Sequence, residues 1–230
     1  MNNRYLAAGL AALVLATAAC SDDDSNGPGP RAQVRVVHAS PDAPAVDVLV
    51  DDQSVLTGVA YKGFSGFLSV AAGSRNIKVN AAGSSTTVIN ADLTLTKDSA
   101  YTVIATDLVA NITPLVLADD LSDPAAGSFK LRLVHGAPNV GLVDIYITAP
   151  GADISGVTPD LAGVGFQVAS GYIEAPAGQY QVRITPAGSK TPALDTGALT
   201  LGAGQIRTAI AVEAVGGGVP LAALLLADKN

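Results

Sequence analysis

The chain reads as an all-β protein made of two tandem antiparallel β-sandwiches, and three observations carry that reading. The first is an internal repeat: Val34–Val50, VRVVHASPDAPAVDVLV, returns at Leu131–Ile147 as LRLVHGAPNVGLVDIYI, with Arg, Val, His, Pro, Val and Asp in the same order 97 residues apart. A unit copied whole must bury its own core, so the repeat predicts two similar domains. The second is periodicity. Short apolar runs alternate with Gly, Pro, Asn and Asp at intervals of roughly 8 to 12 residues, and nothing beyond the N-terminus sustains a helical period. The third is composition: 49% of residues are hydrophobic and 14% charged, yet aromatics are 4% and Trp is absent, so Ala, Val, Leu and Ile must fill the cores. Short strands divided by turn residues suit a sandwich of immunoglobulin-like or transthyretin-like type. With one cysteine, Cys20, the inter-sheet disulfide of antibody domains cannot form.

The elements follow in order. Arg4 precedes an apolar run from Leu6 to Ala19, then Cys20 and the polar stretch SDDDSNGPGP. This 14-residue run falls short of the roughly 20 apolar residues that span a bilayer, and small residues crowd the end, which is a secretory signal whose helix is removed on maturation. Leu15–Cys20 resembles a bacterial lipobox, which makes Cys20 the lipidated residue and the membrane a partner through that anchor; several acyl chains hold essentially permanently. Ser21–Pro30 is too poor in apolar groups to order itself and is expected to be a tether. The expected divisions are 1–19 for the signal peptide, 20–32 for the lipidated cysteine and acidic linker, 33–120 for one sandwich, 121–129 for a linker and 130–230 for the other. Expected strands in the first are Gln33–Val37, Val46–Val50, Gly66–Val70, Ser74–Ala81, Ala91–Leu95, Ala100–Asp107 and Thr113–Ala118. In the second they are Lys130–His135, Val143–Ile147, Gly171–Ala175, Gly178–Pro186, Gly197–Leu201, Gln205–Val215 and Pro220–Leu226. Further matches carry the offset from 97 to 105 and 106, placing the second copy's extra residues between Thr148 and Gly165, where surface loops accept insertions.

Without the signal the formal charge is 12 − 20 = −8, with the basic residues scattered, which argues against a nucleic-acid partner. Alternation turns Asp47 and Asp144 away from the valines of their strands, and Arg35 and Arg132 away from theirs, so the expectation is a surface Arg–Asp pair in each copy, Arg35 with Asp47 and Arg132 with Asp144. His38 and His135 stand at equivalent strand ends before the turns containing Pro41–Asp42 and Pro138–Asn139. Each is read as a hydrogen-bonding strut rather than a metal ligand or general base, because no second ligand lies at a close spacing. Asp42, Asp47, Asp51 and Asp52 could gather around calcium, but the second copy lacks the set. No GxSxG, HExxH or phosphate-binding glycine loop occurs, and no cofactor is implied. Tyr61 and Phe64 are the candidate exposed aromatics for a sugar platform, whereas Phe67 and Tyr172 align between copies and read as core.

The paired VRVVHASPDAPAVDV and LRLVHGAPNVGLVDI segments resemble the bacterial family of domain of unknown function 4397, whose members open with a V-R-hydrophobic-V-H-A-S-P-D-A-P-x-V-D-V motif. The second copy departs from it at Gly136, Ala137, Asn139 and Gly141. The resemblance implies a secreted or envelope-attached β-sandwich repeat protein and transfers no catalytic residues. The leading expectation is a non-enzymatic lipoprotein of the outer membrane or cell surface, acting as a binding or adhesion module or spacer, with an unknown protein or polysaccharide partner over the Ala39–Ala45 loop. A carbohydrate-binding accessory protein using Tyr61 and Phe64 is second. A hydrolase using His38 is third and would require a carboxylate beside that ring.

Overall fold

The computed structural model describes residues 29–230, so the signal sequence, Cys20 and most of the tether lie outside the described residues. The first half holds β1 (Arg31–His38), β2 (Val46–Val50), β3 (Gln53–Val59), β4 (Leu68–Ala71), β5 (Gly73–Ala81), β6 (Thr87–Leu95), β7 (Ala100–Thr106) and β8 (Thr113–Asp119). The second holds β9 (Ser128–His135), β10 (Val143–Thr148), β11 (Leu161–Val164), β12 (Ile173–Pro176), β13 (Gly178–Pro186), β14 (Leu194–Asp195), β15 (Leu199–Leu201), β16 (Ile206–Val212) and β17 (Ala222–Lys229). One 3-10 turn, Val109–Asn111, is the remaining regular element among them.

Each half is a sandwich. The sheets of the first run β4-β1-β7-β8 and β3-β2-β5-β6; those of the second run β12-β9-β16-β17 and β11-β10-β13-β14, with β15 also pairing β13. β1 therefore lies between β4 and β7 and does not pair β2, which excludes the immunoglobulin order, where the first strand sits in one sheet beside the second. Of the two expected types, the transthyretin-like arrangement remains. The sheets are also not purely antiparallel, because β1 runs parallel to β7 and β9 parallel to β16.

Strand chemistry explains which faces are covered. On β2, Val46 and Val48 turn inward to meet Ile77 and Val79 of β5, Ile89 of β6, and Val36 and Ala105 of the facing sheet. Such a half-buried strand alternates. On β1 and β7, by contrast, both faces are buried: Val34 and Val36 enter the sandwich, while Val37 and Ile104 enter a second apolar layer with Val134, Ile210, Val212 and Leu226 of the other half. The sheets β4-β1-β7-β8 and β12-β9-β16-β17 thus pack face to face across this layer, and four sheets are stacked in sequence. Strands covered on both sides read as near-continuous apolar runs.

Three strands escape the sequence pattern. β3 follows a two-residue turn in which Asp51 and Asp52 have φ of 49° and 63°, the type I′ signature that is usually Asn-Gly. Its residues are mostly exposed and show no alternation. β11 and β14 are short edge strands, and β14 to β15 is one interrupted strand.

Candidate functional site: the strand-end loops and the seam between the halves

His38 ends β1 and His135 ends β9, and both rings are sealed, at 0% and 1% exposure. His38 Nε2 lies 2.9 Å from the Pro44 carbonyl, and Nδ1 lies 3.3 Å from the Ser40 amide. His135 repeats this geometry with the Gly141 carbonyl at 2.8 Å and the Ala137 amide at 3.3 Å. A carbonyl can only accept and an amide can only donate, so each ring is the neutral tautomer protonated at Nε2. Burial pushes both pKa values below the ordinary histidine value, against the smaller opposing effect of the Pro44 and Gly141 carbonyls. With both nitrogens engaged, each imidazole closes its turn.

The loop after His38 is consumed in the same way. Ala39, Ser40, Pro41 and Ala43 are buried, while Asp42 is exposed and its Oδ1 accepts the Val109 amide at 2.7 Å. Gly216 donates to the Pro41 carbonyl at 2.8 Å, so Pro41 belongs to the contact between halves. The loop expected to capture a partner is therefore largely interior. Pro138 is half-buried and Asn139 donates through its amide and Nδ2 to Glu213, at 2.6 and 3.0 Å. The buried Glu213 carboxylate also accepts the Gly218 amide at 2.6 Å.

The expected Arg–Asp pairs do not form. β1 and β2 lie in different sheets, as do β9 and β10, so alternation placed the arginines and aspartates correctly outward but on opposite outer faces. Asp47 accepts the Gly58 and Gly83 amides at 2.7 and 3.0 Å, and Asp144 accepts those of Gly163 and Gly188 at 2.9 and 2.8 Å. These bonds hold both carboxylates below the ordinary Asp range. Asp51 and Asp52 pair with Arg75 and Lys78, and among the described residues no three His, Cys, Asp or Glu side chains gather at a potential metal site.

The arginines instead close a ring across the seam. Arg35 Nη2 meets Asp228 Oδ1 at 2.7 Å; Asp228 Oδ2 accepts from Thr208 Oγ1 at 2.6 Å; Thr208 Oγ1 accepts from Arg132 Nη2 at 3.0 Å. Arg132 Nη2 then meets Asp119 Oδ1 at 2.5 Å, Asp119 Oδ2 accepts from Thr102 Oγ1 at 2.7 Å, and Thr102 Oγ1 accepts from Arg35 Nη2 at 2.8 Å. Each arginine pairs with the last strand of the other half, and the four charged side chains are 0–4% exposed. Phe67 covers Arg35 and Tyr172 covers Arg132, each centroid 4.8 Å from the guanidinium carbon. The aligned aromatics thus lie over cations at the seam and not in a sandwich core. Tyr172 also donates to Asp228 Oδ2 at 2.8 Å, and burial raises its pKa. The repeated Leu117-Ala118-Asp119 and Leu226-Ala227-Asp228 was the sequence signal for these partners.

Tyr61 does not stand with Phe64 as a platform. It is half-buried against the seam, its hydroxyl donates to the Glu213 carbonyl at 2.8 Å, and burial with the Glu213 charge raises its pKa to about 12. Phe64 is 49% exposed. Among the described residues no helix is long and apolar enough to cross a membrane.

The model of the family described as Domain of unknown function (DUF4397) matches residues 32–146, or 115 of the 230. No curated protein matches the chain. Among solved structures, the N-terminal domain of AlgF from P. aeruginosa is similar at 25% identity, over 41% of this chain and 99% of that one, with a TM-score of 0.31. CBMbc (family CBM26) from Eubacterium rectale Amy13K, solved in complex with maltoheptaose, is similar at 11% identity over 87% of this chain and 98% of that one, with a TM-score of 0.25. A streptococcal virulence factor described by its α-glucan binding is similar at 13% identity, over 73% and 87%, with a TM-score of 0.24. At such scores the likeness carries no functional inference.

Proposed function

We propose, from the premise that the chain belongs to the family of the domain of unknown function DUF4397, that it is a non-catalytic envelope lipoprotein, a rigid binding, adhesion or spacer module held to the membrane through Cys20. The seam ring is the observation that carries the reading. Six side chains sealed between the halves fix one relative orientation, because sliding the sheets would strand buried charges, and breaking one such pair costs about 3–5 kcal/mol. A module that presents a surface away from a membrane gains from that stiffness. The histidines, the prolines and most of the motif aspartates are spent on the same task, closing turns and tying loops. The lipobox supports the anchor. Mass spectrometry of the mature N-terminus tests it: a triacylated or diacylated Cys20 is expected, and Cys20→Ala should release the protein from membranes. A water-soluble, unacylated mature wild type would refute the anchor.

Exposed Phe64 favours a second reading, contact with a polysaccharide. Affinity electrophoresis in α-glucan gels compares Phe64→Ala with wild type; equal migration in gel and blank for both would remove this reading.

A further inference from the structure

The sandwiches differ in one respect that their shared strand order does not require. The second encloses an apolar cavity of about 230 Å³; the corresponding space in the first is about 10 Å³. Strand register gives the equivalences. Val103 opposes Val36 in the first half as Ala209 opposes Leu133 in the second, so a buried valine is replaced by alanine. Ile89 opposes Val79 as Leu194 opposes Ile184, but between Ala91 and Leu93 lies one residue, whereas between Thr196 and Leu199 lie two. Gly197 and Ala198 together face Gln181, with Gly197 at φ 62°, a left-handed conformation natural to glycine. This is a β-bulge, and bulges bend the strand that carries them. The nine-residue β6, which packs against β8, is thus replaced by the broken pair β14–β15 opposite β17. The cavity runs from Leu131, Ile145 and Val182 to this edge, where Leu199 is half-buried and Leu225 is 39% exposed.

We propose that this cavity binds the alkyl tail of a medium-chain aliphatic carboxylate, tail inward between β14–β15 and β17, with the carboxylate held by Arg207. The walls select the tail. Every lining side chain is apolar except Thr196, whose Oγ1 already accepts the Val182 amide at 3.0 Å and donates to the Gly197 carbonyl at 2.9 Å. A polar group inside would find no partner and would bear an uncompensated desolvation penalty. The volume selects length. At about 230 Å³ the space is more than ten times what one water needs, about 10–15 Å³, so it admits an extended aliphatic chain and not only a small group. The head is selected by Arg207, which shares a strand face with Ala209 and Ala211 and stands beside Leu131 of the cavity wall. It is half-buried, and among the described residues its guanidinium has no hydrogen bond or ion pair, unlike those of Arg35 and Arg132.

Isothermal titration of the full chain with butanoate, hexanoate, octanoate and decanoate tests this. Affinity should rise about fourfold for each added methylene until the tail fills the cavity and then level off. Ala209→Leu should weaken octanoate at least tenfold while leaving the melting temperature unchanged or higher, which separates a filled cavity from a damaged fold. Arg207→Gln should weaken octanoate several-fold and leave 1-octanol unaffected. Octanoate should also shift the methyl resonances of Leu194, Leu199 and Leu225 in wild-type protein. Absence of saturable binding at millimolar octanoate, or wild-type affinity in Ala209→Leu, would overturn the site. Equal losses for octanoate and octanol in Arg207→Gln would overturn the head-group assignment. None of these outcomes depends on the Cys20 anchor.

Discussion

Removing one arginine from the seam should cost nearly as much as removing the arginine and its partner's charge together. In Arg35→Met the Asp228 carboxylate, 0% exposed, loses the one cation it pairs with among the described residues and keeps two hydroxyl donors, Thr208 at 2.6 Å and Tyr172 at 2.8 Å. Stranding a buried charge costs about 3–5 kcal/mol, and the two remaining donors place this variant near the lower end, about 3 kcal/mol. Asp228→Asn strands Arg35, which retains Thr102 and the Ala227 carbonyl at 3.3 Å but has an amide where its counter-charge was; about 3–4 kcal/mol is expected. The double variant leaves neither charge unpaired and should cost little more than either single change, a coupling of about 2–3 kcal/mol. With a guanidinium m-value of about 4–6 kcal/mol/M, each single change lowers the unfolding midpoint by roughly 0.5–1 M. Equilibrium denaturation followed by far-ultraviolet circular dichroism measures it. Single costs under 1 kcal/mol, or strict additivity, would refute the claim that the ring is a desolvated, mutually dependent unit.

The histidines predict a pH dependence. Their folded pKa values lie below the unfolded value near 6.5, so the stability they contribute is complete above that pH and is lost as pH falls through the folded values, with a slope of up to about 1.4 kcal/mol per pH unit for each. Urea midpoints should therefore fall between pH 7 and 5, and His38→Gln should flatten the dependence; an invariant midpoint in wild type would contradict the assignment. Tyr61→Phe removes one hydrogen bond to the Glu213 carbonyl and should lower stability by about 1 kcal/mol in the same assay, with an unaltered stability showing that the bond is not maintained. Deleting Ala198 removes the extra residue opposite Gln181 and should join β14 to β15, raising the hydrogen-exchange protection of the Gly197 and Leu199 amides; unchanged protection would mean that the bulge is not what interrupts the strand.

What could be read from the sequence was what one strand and its nearest turn determine. The inward valines of β2, the outward Asp47 and Asp144, and the strand ends at His38 and His135 follow from a two-residue period and from turn residues. β3 could not be read so, because its turn is Asp51-Asp52 and its side chains are mostly in water, leaving no alternation to detect. The ring was hidden for a different reason. Alternation says which way Arg35 points and nothing about what lies on that side; the partner, Asp228, is 193 residues away and on neither of the strands that pair with β1.

The same logic bears on why the repeat retains so few surface motifs. Strands β1 and β9 carry two sets of constraints, apolar residues at Val34, Val36, Leu131 and Leu133 for the sandwiches and Arg35, Val37, Arg132 and Val134 for the seam. A segment fixed on both faces has no side chain left for an outer surface, so the match of VRVVH with LRLVH, which differ only by leucine for valine at the first and third positions, reports assembly. Differences between the halves are then the better guide to binding, and they concentrate where covering is thin: the Thr148–Asp160 loop, the bulge at Gly197 and the Val103-to-Ala209 exchange.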